Sequence, residues 1–187
     1  MAKRGKGSSY EREMSVALSL WYSGGKREDL LWRSAMSGGR ATVRAKAGKS
    51  TANQQGDLTP TDPSIYPLTN LVSIELKRGY NAVTPMDAID LPERNKTRTW
   101  EDFVTQCQRE SEDGGKPYWW LIFKRDRREA SITLPTEIIQ KYADLLGKYD
   151  ENHIVTAYNG MKLITTRLDK FLKWFDPETV FGPYKEE

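Results

Sequence analysis

Val72-Ser73-Ile74-Glu75-Leu76-Lys77-Arg78-Gly79 is a short apolar stretch with polar residues at alternate positions, and Gln55-Gly56-Asp57-Leu58 precedes it, with Asp57 eighteen residues before Glu75. Successive side chains of a β-strand point to opposite faces. One face of the predicted strand holds Leu71, Ser73, Glu75 and Lys77, and the other, which can be buried, holds Val72, Ile74 and Leu76. The pattern therefore predicts a carboxylate beside an ammonium group on a rigid strand.

Asp57 and Glu75 are candidate ligands for a metal ion. Mg²⁺ is a hard cation that prefers oxygen ligands and keeps several waters. Lys77 would lie beside one of these waters and help to activate or orient it. The structural alternatives are a solvent-facing ion pair for Glu75 and Lys77, and an ordinary Gly-Asp turn for Asp57.

The composition is that of a soluble globular protein. The 187 residues suit one domain, and 37% of them are hydrophobic while 29% are charged. The longest strongly apolar run, residues 118–123, is far shorter than the roughly 20 residues that span a bilayer. No apolar segment of a signal peptide follows the basic N-terminus. We therefore expect a cytoplasmic protein with no membrane partner.

Two residue types exclude whole classes of site. Cys107 is the only cysteine, which excludes an internal disulfide framework and a multi-cysteine zinc site. His153 is the only histidine, which excludes two-histidine metal sites, and no nucleophile elbow accompanies it. Residues 47–51, Ala-Gly-Lys-Ser-Thr, look like the end of a nucleotide-binding loop, but Val43 stands where that motif needs a glycine.

Positive charge is concentrated near the N-terminus. Residues 1–50 contain eleven Lys and Arg against four Asp and Glu, whereas the whole chain has a net charge of +3. This asymmetry indicates a polyanionic ligand, most simply a phosphate backbone, although a solvated tail is the alternative for the flexible arm at residues 1–7. The candidate phosphate-contacting residues are Lys3, Arg4, Lys6, Arg12, Arg33, Arg40, Arg44, Lys46, Lys49 and Arg78.

Local signals predict an alternation of helices and strands within one α/β or α+β domain. Predicted helices cover residues 8–22, 99–113, 135–146 and 168–175, and predicted strands cover 30–34, 71–77, 117–124, 130–134, 153–158 and 161–165. Residues 40–56 and 79–98 are predicted to be mobile loops, and residues 59–70 a turn-rich insertion.

The first helix has three predicted features. A capping box at Ser8-x-x-Glu11 would begin it, and Gly24-Gly25 would end it. Glu11 and Glu13 flank its apolar face on opposite sides, so either could lie at the rim of the core. The expected apolar face consists of Tyr10, Met14, Ala17, Leu18 and Trp21.

Four motifs in order resemble the PD-(D/E)xK nuclease superfamily, and within it the archaeal-type Holliday-junction resolvases. Lys6-Gly7-Ser8-Ser9-Tyr10-Glu11-Arg12 is similar to the family's K-G-x-x-x-E-R opening, and Arg33-Ser34-Ala35-Met36-Ser37-Gly38 to its R-x-x-x-S-G. Gly56-Asp57-Leu58 matches the G/P-D position, and Glu75-Leu76-Lys77 matches E-x-K. The resemblance covers roughly residues 5–135 and leaves residues 136–187 as a C-terminal extension of the single nuclease domain.

The resemblance implies a restriction-endonuclease-like α/β fold, in which a central mixed β-sheet is flanked by helices. It favours Glu11 over Glu13 as a further metal ligand beside Asp57 and Glu75, and adds the carbonyl of Leu76. Lys77 would position the attacking water, while Ser37 and Arg33 would approach the scissile phosphate. The implied protein is a homodimeric, Mg²⁺-dependent endonuclease for branched DNA, with Mn²⁺ as a substitute. The long segments 40–56 and 59–70 depart from compact resolvases.

Several assignments stay open from the sequence. Gln106 is either a site residue, as in some related nucleases, or an exposed helix residue. Residues 124–128 form either a phosphate-contacting hairpin or a solvated turn. Three tryptophans are interpreted as core or interface residues, with base stacking as the alternative; they are Trp119, Trp120 and Trp174. The alternative functions are a restriction- or repair-type endonuclease, a non-catalytic DNA-binding module and a scaffold.

Overall fold

The computed structural model of the protein describes residues 6–34, 56–90 and 99–185. The helices are α1 (Lys6–Tyr22), α2 (Tyr66–Leu71), α3 (Asp87–Asp90), α4 (Trp100–Asp113), α5 (Thr136–Leu146), α6 (Leu168–Trp174) and α7 (Pro177–Phe181), with a 3₁₀ turn at Pro63–Ile65. The strands are β1 (Leu31–Arg33), β2 (Leu58–Pro60), β3 (Val72–Arg78), β4 (Tyr118–Lys124), β5 (Ser131–Pro135), β6 (His153–Tyr158) and β7 (Met161–Arg167). Within these three ranges, no helix is long and apolar enough to cross a membrane.

A five-stranded mixed sheet forms the centre, with the strands in the order β3-β4-β5-β7-β6. β3 and β4 are parallel, and every other neighbouring pair is antiparallel. β1 and β2 form a separate antiparallel pair. A central mixed sheet flanked by helices confirms the predicted α/β, restriction-endonuclease-like fold.

Helices cover both faces of the sheet. The larger core lies on the face that α1, α5 and α6 cover, and it is centred on Trp120, whose ring meets Phe171 edge-on at 5.3 Å between centroids. The smaller core lies on the opposite face, where Phe103 and Val104 of α4 pack near Trp119. Trp119 and Trp120 are buried, so the prediction that they are core residues is confirmed.

The strand β3 is buried on both faces. Ser73 and Glu75 are 3% and 4% exposed, as well covered as Ile74 and Leu76. The sequence predicted burial of one face only, and it placed Leu71 on the strand, whereas Leu71 ends α2. The reason is that α1 and α4 cover opposite faces of the parallel pair, which is the usual environment of parallel strands.

The helix α1 differs from the prediction at its start and along its buried face. It begins at Lys6, two residues before Ser8, so Ser8 lies inside the helix and is not its N-cap. Ala17 is exposed, whereas Ser15 and Ser19 are buried. Each serine hydroxyl donates to a backbone carbonyl one turn earlier, so burying it leaves no unsatisfied donor. The predicted end is confirmed, since Gly24 and Gly25 follow Tyr22 with positive φ.

Residues 59–70 contain more regular structure than predicted. β2 runs through Pro60, a 3₁₀ turn follows at Pro63–Ile65, and α2 begins at Tyr66. The Asp62 carboxylate caps the 3₁₀ turn by accepting from the Ser64 amide at 2.9 Å. Pro63 and Pro67 therefore lie at the starts of the 3₁₀ turn and of α2, where a missing amide donor costs little, whereas Pro60 ends β2.

Other local predictions are confirmed. Thr99 begins α4 with a capping box in which its hydroxyl accepts from the amide of Asp102 and the Asp102 carboxylate accepts from the amide of Thr99. β6 and β7 form the predicted hairpin across Asn159-Gly160. Both strands belong to the central sheet, so residues 136–185 complete the sheet and cover it with α5 and α6.

Candidate active site

The backbone around Asp57 is held against β3 by close contacts. The Asp57 amide donates to the carbonyl of Ile74 at 2.8 Å, and the Asp57 carbonyl accepts from the amide of Ser34 at 2.7 Å. Gly56 has a φ of +84°, and a Cβ on it would lie 2.7 Å from the carbonyl oxygen of Ile74. Because no real Cβ approaches so closely, this junction requires glycine.

The Asp57 carboxylate also contacts β3. Its Oδ2 accepts a 2.9 Å hydrogen bond from the amide of Leu76, the residue between Glu75 and Lys77. The two parts of the sequence pattern, Gly-Asp and Glu-x-Lys, therefore meet in space as predicted. The contact orients Asp57 before any ligand binds.

Glu75 and Lys77 form an ion pair that Gln106 of α4 completes. Gln106 Nε2 donates to Glu75 Oε1 at 2.9 Å, and its Oε1 accepts from Lys77 Nζ at 3.0 Å. The ion pair is largely buried, with the two side chains 5% and 11% exposed, so it is not the solvent-facing pair considered from the sequence. Gln106 is therefore not the plain exposed helix residue considered from the sequence, and its role as a site residue stays a prediction.

The sequence did not identify a further carboxylate of this cluster, Glu110. It lies one turn after Gln106 on α4 and accepts from Gln106 Nε2 at 2.9 Å. Its negative charge contributes to raising the pKa of both Asp57 and Glu75. The spacing of four residues from Gln106 was the available signal, because such residues share one face of a helix.

The carboxyl groups of this cluster hold protons more tightly than usual. Burial, outweighing the hydrogen bond from Leu76 and the Lys77 charge, raises the pKa of Asp57 to about 6. Burial and the neighbouring Asp57 charge raise the pKa of Glu75 well above its ordinary value. For Lys77, burial alone would lower the pKa, but the charges of Glu75 and Asp57 outweigh it and raise the pKa.

The two glutamates of α1 have different partners. Glu11 Oε2 accepts from Arg33 Nε at 2.8 Å, and its side chain is 14% exposed. Glu13 instead contacts Arg78 at 3.1 Å and Lys124 at 3.5 Å at the edge of the sheet. Glu11 also adds to the negative field at Asp57, so it is the nearer candidate for the metal site.

The donor set fits a hard divalent cation. Asp57 is half-buried and Glu75 is buried. The Asp57 charge raises the pKa of Glu75, and a cation between the two carboxylates would offset their repulsion. Mg²⁺ is commonly held by one or two carboxylates with waters. Within residues 6–34, 56–90 and 99–185, no group of three or more His, Cys, Asp and Glu side chains is placed to hold one ion. Glu11 and the Leu76 carbonyl as additional ligands stay predictions.

The remaining predicted residues divide into two groups. Arg12 lies exposed on α1, and the guanidinium of Arg78 lies 5.5 Å from the centre of the Tyr10 ring. Lys6 begins α1. Outside the described residues lie Lys3, Arg4, Ser37, Arg40, Arg44, Lys46 and Lys49, together with most of loop 40–56 and the end of loop 79–98.

Comparison with known proteins identifies the family. No curated protein and no solved structure matches the chain. A family model described as "Phage putative PDDEXK endonuclease" matches residues 2–182, which include every element of the fold and the whole candidate site. PD-(D/E)xK nucleases generally use divalent metals, and their activity implies a DNA substrate. The chain therefore belongs to this phage PD-(D/E)xK endonuclease family.

Proposed function

We propose that the protein is a Mg²⁺-dependent DNA endonuclease, with Mn²⁺ as a substitute, that cuts branched DNA as Holliday-junction resolvases do. The observation that supports this best is the convergence of Asp57, Glu75 and Lys77, with the Asp57 carboxylate fixed by the Leu76 amide. The family supports the nuclease chemistry. The preference for branched DNA rests on the four sequence motifs.

Asp57 and Glu75 would hold the cation through their carboxylate oxygens. When bound, Mg²⁺ lowers the pKa of a coordinated water and offsets charge that develops on the phosphate. The Leu76 amide holds one oxygen of Asp57, and Gln106 holds one oxygen of Glu75. Such fixed ligands need little rearrangement at the moment of reaction.

Lys77 acts in this proposal as a cation and a hydrogen-bond donor. The charges of Glu75 and Asp57 raise its pKa and favour the protonated ammonium, so the proposal gives Lys77 no role as a general base. It would orient the attacking water and stabilise negative charge on the phosphate. Attack in line with the leaving group leaves 5′-phosphate and 3′-hydroxyl ends, as the resemblance implies.

The substrate is proposed to be gripped through its phosphates, without base readout, by the basic residues of the arm and loops. Arg33, held by Glu11 at the edge of the site, and Ser37 would approach the scissile phosphate. Symmetric cutting of a four-way junction needs two active sites, so the functional unit is a two-fold homodimer.

A cleavage assay with Mg²⁺ tests the proposal. It compares a four-way junction, a nicked or flapped duplex and a plain linear duplex. The variant Glu75→Gln removes a carboxylate charge from the site while keeping its shape. Glu13→Gln is the matched control, because it makes the same change on α1, where the carboxylate contacts Arg78 and Lys124 instead.

Each outcome has a distinct meaning. Symmetric incision of the junction alone, lost in Glu75→Gln and kept in Glu13→Gln, supports a junction resolvase. Cutting of linear duplex with the same dependence on Glu75 favours a restriction- or repair-type enzyme. Full Mg²⁺-dependent cleavage by Glu75→Gln, or salt-dependent binding without any cleavage, contradicts the proposed active site.

A further inference from the structure

The turn between β4 and β5, Arg125-Asp126-Arg127-Arg128, contains three arginines and begins beside the candidate active site. Arg125 and Lys77 line the same cleft, together with Tyr80 and Phe103. In the parallel register of β3 and β4, Lys77 lies beside Phe123 and Arg78 lies beside Lys124. The turn begins at the next residue, Arg125. We infer that this turn is a phosphate-binding element that grips the DNA backbone beside the scissile bond; the inference rests on the proposed function.

The backbone conformation at Arg127 is unfavourable for an arginine. The amide of Arg128 donates to the carbonyl of Arg125 at 3.2 Å, which closes the turn, and Arg127 has a φ of +60°. Glycine adopts this conformation without steric cost, and asparagine tolerates it. In the described parts of the chain, the other non-glycine residue with positive φ is Asn159. An arginine at such a position costs stability, and retained strain of this kind is typical of functional sites.

The turn is held in place by the loop that follows β3. Asn81 Oδ1 accepts from the amide of Asp126 at 2.7 Å, and Asn81 Nδ2 donates to the Asp126 carboxylate at 3.1 Å. Because Asn81 lies four residues after Lys77, this double contact fixes the turn relative to the site. The side-chain amide of Asn81 also binds the carboxylate of Asp126, the acidic residue of the turn.

The arginines of the turn remain available to an anion. None of the three forms an ion pair with a carboxylate in residues 6–34, 56–90 or 99–185, whereas the nearby Arg78 and Lys124 both pair with Glu13. Arg127 and Arg128 are exposed. Arginine forms paired hydrogen bonds to phosphate oxygens, and exposed phosphates are regularly spaced along DNA. The shared cleft with Lys77 favours the phosphates of the substrate over other anions.

The test measures DNA binding in the Glu75→Gln background, where DNA should remain uncut. Fluorescence anisotropy of a labelled four-way junction and a labelled duplex gives Kd over a series of NaCl concentrations. The turn variant combines Arg125→Gln, Arg127→Gly and Arg128→Gln. The matched control removes three positive charges elsewhere, on exposed residues, through Lys148→Gln, Lys162→Gln and Lys173→Gln.

The turn variant should bind roughly tenfold or more weakly and lose about two to three units from the slope of log Kd against log salt, since each phosphate contact contributes about 0.9. The control should change the slope by less than about one unit. Arg127→Gly alone should weaken binding while its urea midpoint rises, because glycine relieves the positive φ. Asn81→Ala should weaken binding although it removes no charge.

Equal losses in the turn variant and the control would overturn the inference, as would absence of DNA binding by the Glu75→Gln parent. If binding depends on the turn but the unmodified protein does not cleave, the turn is a DNA-binding element with no scissile bond beside it, and the proposed function fails. If the protein cleaves DNA but the turn variant binds like its parent, the proposed function stands and the inference fails.

Discussion

Gly56→Ala is expected to damage both the fold and the site, because the backbone at Gly56 packs directly against β3. The new Cβ would lie 2.7 Å from the Ile74 carbonyl oxygen, 3.0 Å from Ser73 Oγ and 3.1 Å from the Ile74 amide nitrogen. Two of these three atoms belong to the backbone of a buried strand, so they yield less readily than a side chain.

The expected loss of stability has three destabilising contributions and one smaller offset. The positive φ destabilises an alanine by about 1–2 kcal/mol. Alanine also lowers the conformational entropy of the unfolded chain, which offsets about 0.4–1 kcal/mol of that loss. Overpacking against β3 adds about 1–3 kcal/mol. Weakening the hydrogen bond from the Asp57 amide to Ile74 adds about 1 kcal/mol. The clash and the hydrogen bond together should therefore account for roughly 2–4 kcal/mol.

Gly25→Ala is the matched control. Gly25 has a φ of +86°, close to the +84° of Gly56, but nothing lies within 4 Å of its added Cβ. Urea unfolding of both variants should show Gly56→Ala less stable than Gly25→Ala by roughly 2–4 kcal/mol. This corresponds to a midpoint lower by about 1 M or more at an m-value near 2 kcal/mol/M.

Cleavage supplies a second measurement. Displacement of Asp57 by about 1 Å should lower the cleavage rate on the order of 10²-fold, whereas Gly25→Ala should leave the rate of its folded fraction unchanged. Equal unfolding midpoints for the two variants, with normal cleavage by Gly56→Ala, would refute the inferred close approach and the anchoring of Asp57 to β3.

Three further predictions concern the polar groups of the site. Gln106→Leu should reduce the maximal cleavage rate about 10- to 100-fold, because hydrogen bonds to charged groups contribute about 1.5–3 kcal/mol. Single-turnover kinetics at saturating DNA measure this rate, and an unchanged rate would argue against a positioning role for Gln106. Glu11→Gln should raise the Mg²⁺ concentration needed for half-maximal cleavage, whereas Glu13→Gln should not, and equal titration curves would exclude Glu11 as a ligand. The pKa of Asp57 is raised from 3.8 to about 6, so the folded state binds this proton more tightly than the unfolded state. In EDTA, the unfolding free energy should therefore fall by up to about 3 kcal/mol as the pH rises from 3.8 to about 6. Mg²⁺ affinity and cleavage should rise over the same window, since the ligand must lose its proton, and the fall in stability should be smaller in Asp57→Asn.

Local signals in the sequence predicted most elements of the fold. The capping residue Thr99 and the turn Asn159-Gly160 act through hydrogen bonds and backbone angles within a few residues, so they can be identified without tertiary structure. The Glu75-x-Lys77 spacing likewise predicted that both side chains lie on one face of β3. The fold class followed from the order of these elements and from the four motifs.

Long-range packing decided what the sequence left open or misassigned. Ser15 and Ser19 are buried because β1 and the sheet pack against that side of α1, and Leu31 donates its amide to the Ser19 hydroxyl at 3.0 Å. Gln106 and Glu110 join the site only because α4 crosses β3 and β4 on the face that holds Glu75. No periodicity within α4 specifies which strand lies beneath it.

The residues of the site come from elements that are far apart in the chain. Glu11 is on α1, Asp57 precedes β2, Glu75 is on β3 and Gln106 is on α4. A growing polypeptide is extended at about 5–20 residues per second, so several seconds separate the synthesis of Glu11 from that of Gln106. During this time β3 lacks its parallel neighbour β4, so the sheet that holds Glu75 is incomplete. Since β4 follows α4 in the chain, we expect nuclease activity only in chains that extend beyond β4.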